Sequence, residues 1–176
     1  LPRGETEALP DMQTYPAPEQ PRVVTETMDV TQGKLSMGFR CQSDDVPAMI
    51  LANLIFGGSS NSKLFLNVRE KLSLCYYASS SYARSKKLLT VSSGIETKDY
   101  QRAYDEILHQ LSQVQQGNWE EWEFTGAKST MLNALRSMDD SQGALENYYL
   151  GQAATGLSDS PQEMMEAITA VTPQRV

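Results

Sequence analysis

The feature that most constrains the fold is an amphipathic stretch in the middle of the chain. Its apolar side chains recur at the spacing of one helical face, and Gly117 ends the pattern. A helix with one apolar stripe has to bury it against another element, and the strand-like runs Cys75–Ala83 and Leu88–Ile95, joined by the basic turn 84–87, directly precede it. We therefore predict a helix over residues 99–116 that packs on an antiparallel hairpin. The side chains expected to be buried there are Tyr104, Ile107, Leu111 and Val114.

Two further strand-like runs, Val23–Val30 and Lys34–Cys41, stand ahead of this region, and Thr31-Gln32-Gly33 between them predicts a hairpin. An apolar helix should follow over Ala48–Phe56, where Gly57 ends it. The order of hairpins and helices, without the crossovers of a parallel sheet, predicts an α+β fold. We expect an antiparallel sheet with the helices packed on one face.

The remaining helices are predicted from their start signals. The helix after the glycines should run over Ser62–Lys71, with Asn61 or Ser60 as its cap. Towards the end of the chain, Asn118–Glu121 and Ser160–Glu163 have the capping-box pattern that begins a helix. The last third of the chain should therefore be helical.

Composition divides the chain into an arm and a domain. Residues 1–22 hold most of the eight prolines and little apolar periodicity, which is typical of a linker or extended arm. Residues 23–176 carry the periodic segments and are predicted to form one domain. The chain does not begin with Met, and Thr172 and Pro173 have the pattern of a helix start close to its end. We therefore expect a piece of a longer protein, truncated at its C-terminus.

Charge and composition argue against several function classes. The formal net charge is −7, whereas binding to phosphate backbones needs clustered Lys and Arg, so no nucleic-acid partner is expected. No apolar run is long enough to span a bilayer, and we expect no membrane partner. Two cysteines do not form a disulfide framework, which favours a cytoplasmic location.

The stretch GGSSNSK, from Gly57 to Lys63, admits two interpretations. Glycines and hydroxyls before a lysine occur in phosphate-binding loops, but this stretch lacks the Gly-Lys-Ser/Thr ending and follows a helix instead of a strand. We favour a tight elbow between two helices, in which glycine allows the reversal and a Ser or Asn caps the next helix.

Autonomous catalysis is not predicted for this chain. His109 is the single histidine, and zinc sites need several His, Cys or acidic ligands at fixed spacing. One histidine would be enough for a Ser-His-Asp triad, but no G-x-S-x-G elbow is present. We therefore expect no catalytic residue, no metal ligand and no cofactor here, and we place His109 at the surface.

Arg69 and Tyr76 are the pair with the most chemical promise. Arg69 should lie in the last turn of the second helix and Tyr76 at the start of the strand that follows. A guanidinium and a phenol at one sheet edge would together offer several donors to a carbonyl or a developing oxyanion. On spacing alone we favour a plain structural role, in which Arg69 complements the helix dipole and Tyr76 is a strand aromatic.

The stretch FGGSSNSKLFLNVREKLSLCYYASSSY, with GIETKDYQRAYDEI and the closing ITAVTPQRV, resembles the downstream domain of insulinase/pitrilysin-like zinc peptidases. The similarity runs from about Val23 to the end, and its motifs are specific as a set. Within that family the chain looks most like the bacterial YmfF/YmfH-type branch. The resemblance implies a two-layer fold of the metalloprotease LuxS/peptidase-like type.

The resemblance also implies a division of labour between two domains. Family members place two similar α+β domains around a cavity: the upstream one carries the zinc motif H-x-x-E-H, and the downstream one lends an Arg and a Tyr, seven residues apart, to the substrate backbone. Arg69 and Tyr76 have that spacing, so the resemblance assigns substrate contact to them. Zinc is then expected only in the upstream domain of an active parent or partner. Tyr77, and Leu72-Ser73 in place of Arg-Gly, depart from the family pattern.

The predicted function is therefore substrate binding by a non-zinc domain, which supplies Arg69 and Tyr76 to an active site whose metal lies upstream. The alternative is a non-catalytic partner subunit that binds or presents peptide to an active paralogue. A stand-alone small-molecule domain is a third interpretation, and it would need a deep enclosed pocket. The expected partners are a peptide or protein substrate, the homologous upstream domain, and a paralogous subunit or second copy.

Overall fold

The structure is a computed structural model that describes residues 17–176. Within these residues, three strands form one antiparallel sheet in the order β1-β3-β2, with β1 at Gly33–Arg40, β2 at Cys75–Ala83 and β3 at Leu88–Ile95. Six helices accompany the sheet in the described part of the chain. They are α1 at Val46–Asn53, α2 at Leu64–Lys71, α3 at Tyr100–Gln115, α4 at Glu121–Arg136, α5 at Gln142–Ala154 and α6 at Pro161–Thr169.

The two faces of the sheet differ in chemistry, as the alternation along each strand requires. Apolar side chains of all three strands point to the helices and enter one hydrophobic core, among them Leu35, Ala78 and Val91. The opposite face is exposed and carries small hydroxyls, at Ser36, Ser79, Ser81, Thr90 and Ser92. The predicted α+β fold, with an antiparallel sheet and the helices on one face, is confirmed.

Helix α1 begins at Asp45, whose carboxylate accepts the backbone N–H of Ala48 at 3.2 Å. The sequence predicted that this helix would end at Gly57. Instead its helical path continues through a wider turn at Leu54–Gly58. Gly57 lies against β2, and a Cβ there would come within 2.7–2.8 Å of Leu64 and Ser80. The glycine therefore permits a close approach between the end of α1 and the sheet.

Helix α2 begins two residues later than the sequence predicted. Neither Asn61 nor Ser60 caps it; the hydroxyl of the buried Ser62 accepts the N–H of Phe65 at 3.4 Å. The helix is wound with wide turns of the π type, and the N–H of Leu72 reaches the carbonyl of Asn67 at its end.

Helix α3 carries the amphipathic stretch, but its buried face is rotated slightly from the predicted one. Ile107 and Val114 are buried as predicted, whereas Tyr104 and Leu111 are only partly buried. The backbone neighbours of α3 include α2 and the turn 54–58, so α3 packs on these helical segments. That packing also buries Gln110, which the apolar pattern could not reveal; its amide group bonds to Asn67 and Glu106.

Of the two predicted capping boxes, the one at Asn118–Glu121 is wrong, because α4 begins two residues later than that box requires, with Glu120 as its cap and Glu123 as the partner in the box. Ser160 and Glu163 form a complete capping box at the start of α6, as predicted. Near the end of the chain, Arg175 donates to both carboxylate oxygens of Asp45 at 2.9–3.1 Å. Because Asp45 also caps α1, this ion pair joins the last residues to the start of the first helix.

The predicted strand at Val23–Val30 is wrong. These residues form no strand, and Val23, Val24, Met28 and Val30 are all exposed. Local alternation predicted the strand, but a strand also needs a partner, and among residues 17–176 no chain pairs with the outer edge of β1. The prediction that residues 1–22 form an arm is untested, because residues 1–16 lie outside the described part of the chain.

Candidate functional site

The connection between α2 and β2 brings Arg69 next to Tyr76. The chain reverses through Ser73, which has a φ of 50°, the left-handed region that usually favours glycine. The N–H of Ser73 bonds to the carbonyl of Arg69 at 3.1 Å, and the N–H of Leu74 bonds to that of Val68 at 3.0 Å. With Leu74 buried in the core, the turn fixes the end of α2 against the start of β2.

Tyr76 is the extra residue of a β-bulge. Cys75 pairs with Ile95 and Tyr77 with Gly94, so Tyr76 has no partner of its own on β3. Bulges redirect side chains and are common beside functional sites. The Tyr76 side chain is accordingly 59% exposed, and its hydroxyl makes no hydrogen bond to any residue within 17–176.

Arg69 is positioned by three contacts. Its Nε donates to the backbone carbonyl of Tyr76 at 3.0 Å, its Nη1 lies 3.1 Å from Oε1 of Glu70, and its guanidinium stacks 4.7 Å above the centre of the Phe65 ring. The side chain nevertheless remains 40% exposed. Arg69 is thus oriented by its neighbours without being buried, and its outer Nη2 bonds to no described residue.

Arg69 and Tyr76 line a shallow groove of about 400 Å³, which we term the Arg69 groove. Its lining combines small residues of the glycine turn with the aromatic side chains of Phe65, Tyr76 and Tyr77. The lining residues are Gly57, Gly58, Ser59, Ser60, Phe65, Arg69, Tyr76, Tyr77, Ala78 and Ser79. The groove is open to solvent, so it does not resemble the enclosed pocket that a small-molecule domain would need.

Tyr77, which departs from the family pattern, is accommodated on the exposed face of the sheet. A Cβ on Gly94 would lie 2.5 Å from Cε1 of Tyr77, so the ring rests over the glycine. The Tyr77 hydroxyl is 3.4 Å from Oγ of Ser92. The large side chain is therefore held on the sheet, at the rim of the Arg69 groove.

The positive charge of Arg69 reaches Cys75. Burial raises the pKa of the Cys75 thiol, while a hydrogen bond from Ser93 and the charge of Arg69 lower it in part. The guanidinium therefore lies close enough to lower the pKa of a half-buried thiol at the start of β2.

The contacts of Lys63 and the position of His109 test the other two candidate sites, a phosphate-binding loop and a metal site. The amine of Lys63 lies 3.0 Å from Oε1 of Glu123 in a buried ion pair, so Lys63 does not face a phosphate site. The stretch connects two helical segments, as the elbow interpretation predicts, but without the expected cap at Ser60 or Asn61. His109 is exposed, as predicted. Among residues 17–176, no three His, Cys, Asp or Glu side chains converge as metal ligands, so this part of the chain offers no donor set that fits zinc.

Sequence reasoning brought Arg69 and Tyr76 together but missed what holds them. The bulge at Tyr76 depends on β3 and has no local signal. The stacking of Arg69 on Phe65 did have a local sequence signal, because residues four apart share a helical face.

Comparison with known proteins gives the family. Residues 4–131 match the family described as "Peptidase M16 inactive domain". The chain is 36% identical over 161 residues to "Probable inactive metalloprotease YmfF" of Bacillus subtilis, which covers 89% of this chain and 38% of that protein.

Two solved structures share the fold. A conserved protein from Enterococcus faecalis V583 is 32% identical and superimposes with a TM-score of 0.74 over 83% of this chain and 36% of that one. A peptidase M16 inactive domain from Pseudomonas fluorescens, 19% identical, gives a TM-score of 0.68 over 83% of this chain and 36% of that one.

The chain thus spans about two fifths of the length of the curated relatives it matches. Among residues 17–176, no helix combines the length and the apolar character needed to cross a bilayer. The match over residues 4–131, with the fold and the resemblance of the glycine, Arg and Tyr motifs, establishes that the chain belongs to the peptidase M16 (insulinase/pitrilysin-like) family, as an inactive domain of the YmfF-type branch.

Proposed function

We propose that this domain contacts the backbone of a peptide through Arg69 and Tyr76, as the non-zinc half of a longer zinc-peptidase-like protein. The observation that carries the proposal is their placement on one groove, where a bulge turns Tyr76 outward and the Tyr76 carbonyl orients Arg69. A side chain with a purely structural role would be buried or fully engaged, whereas the phenol of Tyr76 is exposed and free of hydrogen bonds to the described residues.

The groove supports contact with a peptide backbone for a second reason. Its lining includes Gly57, Gly58 and Ser59, which have little side-chain volume and therefore leave room for an extended chain. The outer guanidinium N–H groups of Arg69 and the hydroxyl of Tyr76 are donors that suit a peptide carbonyl or the oxyanion formed from it. This chain's own residues would then bind and orient the substrate. The family resemblance places zinc in the upstream domain of an active parent or partner.

A second candidate is a non-catalytic partner subunit that binds or presents peptide to an active paralogue. It is favoured by the name of the relative YmfF, which describes that protein as an inactive metalloprotease. Both candidates use the Arg69 groove in the same way. The difference lies in whether the upstream domain of the parent carries H-x-x-E-H.

The partners follow from the same proposal. We infer that the domain works against a homologous upstream domain, or against a paralogous subunit or second copy, with a peptide or protein between the two halves. We also place it in the cytoplasm without a nucleic-acid or membrane partner, in line with its net charge of −7 and its free thiols at Cys41 and Cys75.

The test uses the full-length parent protein and a fluorescein-labelled unstructured peptide. Arg69→Ala and Tyr76→Phe should each weaken peptide affinity, or lower kcat/KM by roughly ten- to a thousandfold if the parent cleaves, the range for losing one oxyanion-type donor. Lys71→Ala is the matched control, because Lys71 is exposed on the same helix outside the groove. Unchanged affinity and turnover in both variants would reject the proposal.

A further inference from the structure

A second recess lies on the opposite flank of α2, between that helix and the turn that leads into α4. It has a volume of about 500 Å³, and nothing in the proposed function uses it. We term it the Trp recess, because both tryptophans of the chain line it. The side chains that define its character are Lys63, Leu66, Asn67, Trp119, Glu120 and Trp122.

The Trp recess is independent of the Arg69 groove. Lys63, Leu66 and Asn67 face the recess, whereas Phe65 and Arg69 face the groove. The two sets alternate along one helix, so the body of α2 separates the sites. A ligand in the recess would not touch the groove.

The charge of the recess is negative once its internal pair is counted. Lys63 is only 8% exposed, and its amine lies 3.0 and 3.2 Å from the two carboxylate oxygens of Glu123, so its positive charge is already neutralised. Glu120 is exposed at the rim and adds a further carboxylate. With one lysine and two glutamates, the lining carries a formal charge of −1.

The recess also lies at the start of α4, where a helix would ordinarily favour an anion. Here that preference is already met by the protein. The Glu120 carboxylate accepts the N–H of Glu123, and the Glu123 carboxylate accepts the N–H of Glu120 at 2.8 Å. Glu121 adds a third carboxylate to the first turn. An incoming anion would therefore be repelled by the carboxylates at this helix start.

Two indoles beside a surplus carboxylate suit a cation. Trp119 is partly buried against the core and Trp122 is 50% exposed, so the recess offers one fixed ring and one at the surface. Trp is the aromatic side chain that attracts ammonium and guanidinium groups most strongly, and carboxylates add to that attraction. We propose that the Trp recess binds a basic side chain, lysine or arginine, presented by a peptide or protein partner.

The tryptophans themselves report on the test. Because Trp119 and Trp122 are the only indoles in the chain, all intrinsic tryptophan fluorescence comes from the recess. The full chain is titrated with N-acetyl-arginine methylamide and N-acetyl-lysine methylamide, and with the neutral norleucine and anionic glutamate analogues. The cationic probes should change the emission saturably, and their binding should weaken as salt is added. Equal binding of the norleucine probe, or no saturable change with any probe, would overturn the proposal.

Two variants test separately how much the Glu120 carboxylate and the Trp122 ring contribute to cation binding. Glu120→Gln, which keeps an oxygen to accept the N–H of Glu123, should weaken binding of the cationic probes by about threefold or more, and Trp122→Leu by a similar factor with Trp119 still reporting. Glu121→Gln is the matched control, since Glu121 is exposed beside the recess but does not line it. An equal effect of Glu121→Gln and Glu120→Gln would show a general field effect and reject a site at Glu120.

Discussion

The two cations at the ends of α2 stand in opposite environments. Lys63, directly before the helix, has a side chain only 10% exposed and pairs with Glu123, sixty residues further along. Arg69, in the last turn, is 40% exposed and pairs with its neighbour Glu70. The cation before α2 is therefore buried in an ion pair, whereas the cation in its last turn is partly exposed to solvent.

The difference in burial between Lys63 and Arg69 indicates which of the two cations can bind a ligand. A buried ion pair that loses one partner leaves an uncompensated charge in a poorly solvated place, so Lys63 is confined to its structural contact. An exposed pair contributes little, and the Arg69 guanidinium can turn towards a peptide at small cost. Position along the helix, more than residue type, separates these roles.

The largest expected effect is on the free energy of unfolding. Lys63→Met should cost about 3–5 kcal/mol, because it leaves the Glu123 carboxylate buried without its partner. Arg69→Met is the matched control and should cost about 1 kcal/mol or less, since its contacts are exposed. Urea unfolding followed by circular dichroism measures both. Similar losses for the two variants would break the comparison.

A second effect concerns the elbow that joins α1 to α2. Gly57→Ala should destabilise the protein by about 1–3 kcal/mol, because the new methyl group would overlap Leu64 and the backbone of Ser80. Gly126→Ala is the control within α4, where a Cβ meets nothing within 4 Å, and it should stabilise by about 0.5–1 kcal/mol. The same unfolding measurement applies, and a neutral Gly57→Ala would show that the start of α2 is not fixed by the elbow.

The same division between local and distant contacts explains what the sequence could predict. Cys75–Ala83 and Leu88–Ile95 were predicted with the bounds they have, because alternation and the basic turn between them are local signals. The capping box at Ser160 was predicted for the same reason. Local patterns predicted the bounds of these elements, but they misplaced the cap of α2 and the end of α1.

Contacts made far along the chain could not be predicted. The strand at Val23–Val30 failed because its alternation does not say whether a partner strand exists. The pair of Lys63 with Glu123 spans sixty residues, and the bulge at Tyr76 depends on its register with β3. For the candidate site, the family resemblance named Arg69 and Tyr76, while their orientation came only from the tertiary structure.

The smallest effect tests whether the charge of Arg69 is felt beside the groove. Burial raises the pKa of the Cys75 thiol, and Arg69 offsets part of that rise. Arg69→Ala removes this offset, so the pKa should rise further, the thiolate fraction at a given pH should fall, and alkylation by iodoacetamide should slow because the thiolate is the nucleophile. The pH profile of Cys75 alkylation, followed by mass spectrometry, should therefore shift to higher pH. Cys41 is the internal control: its pKa is raised by burial without a contribution from Arg69, and its profile should not move. Arg69→Lys keeps the charge and should leave Cys75 close to the parent chain; if it slows Cys75 as much as Arg69→Ala does, packing and not charge links Arg69 to the β2 edge.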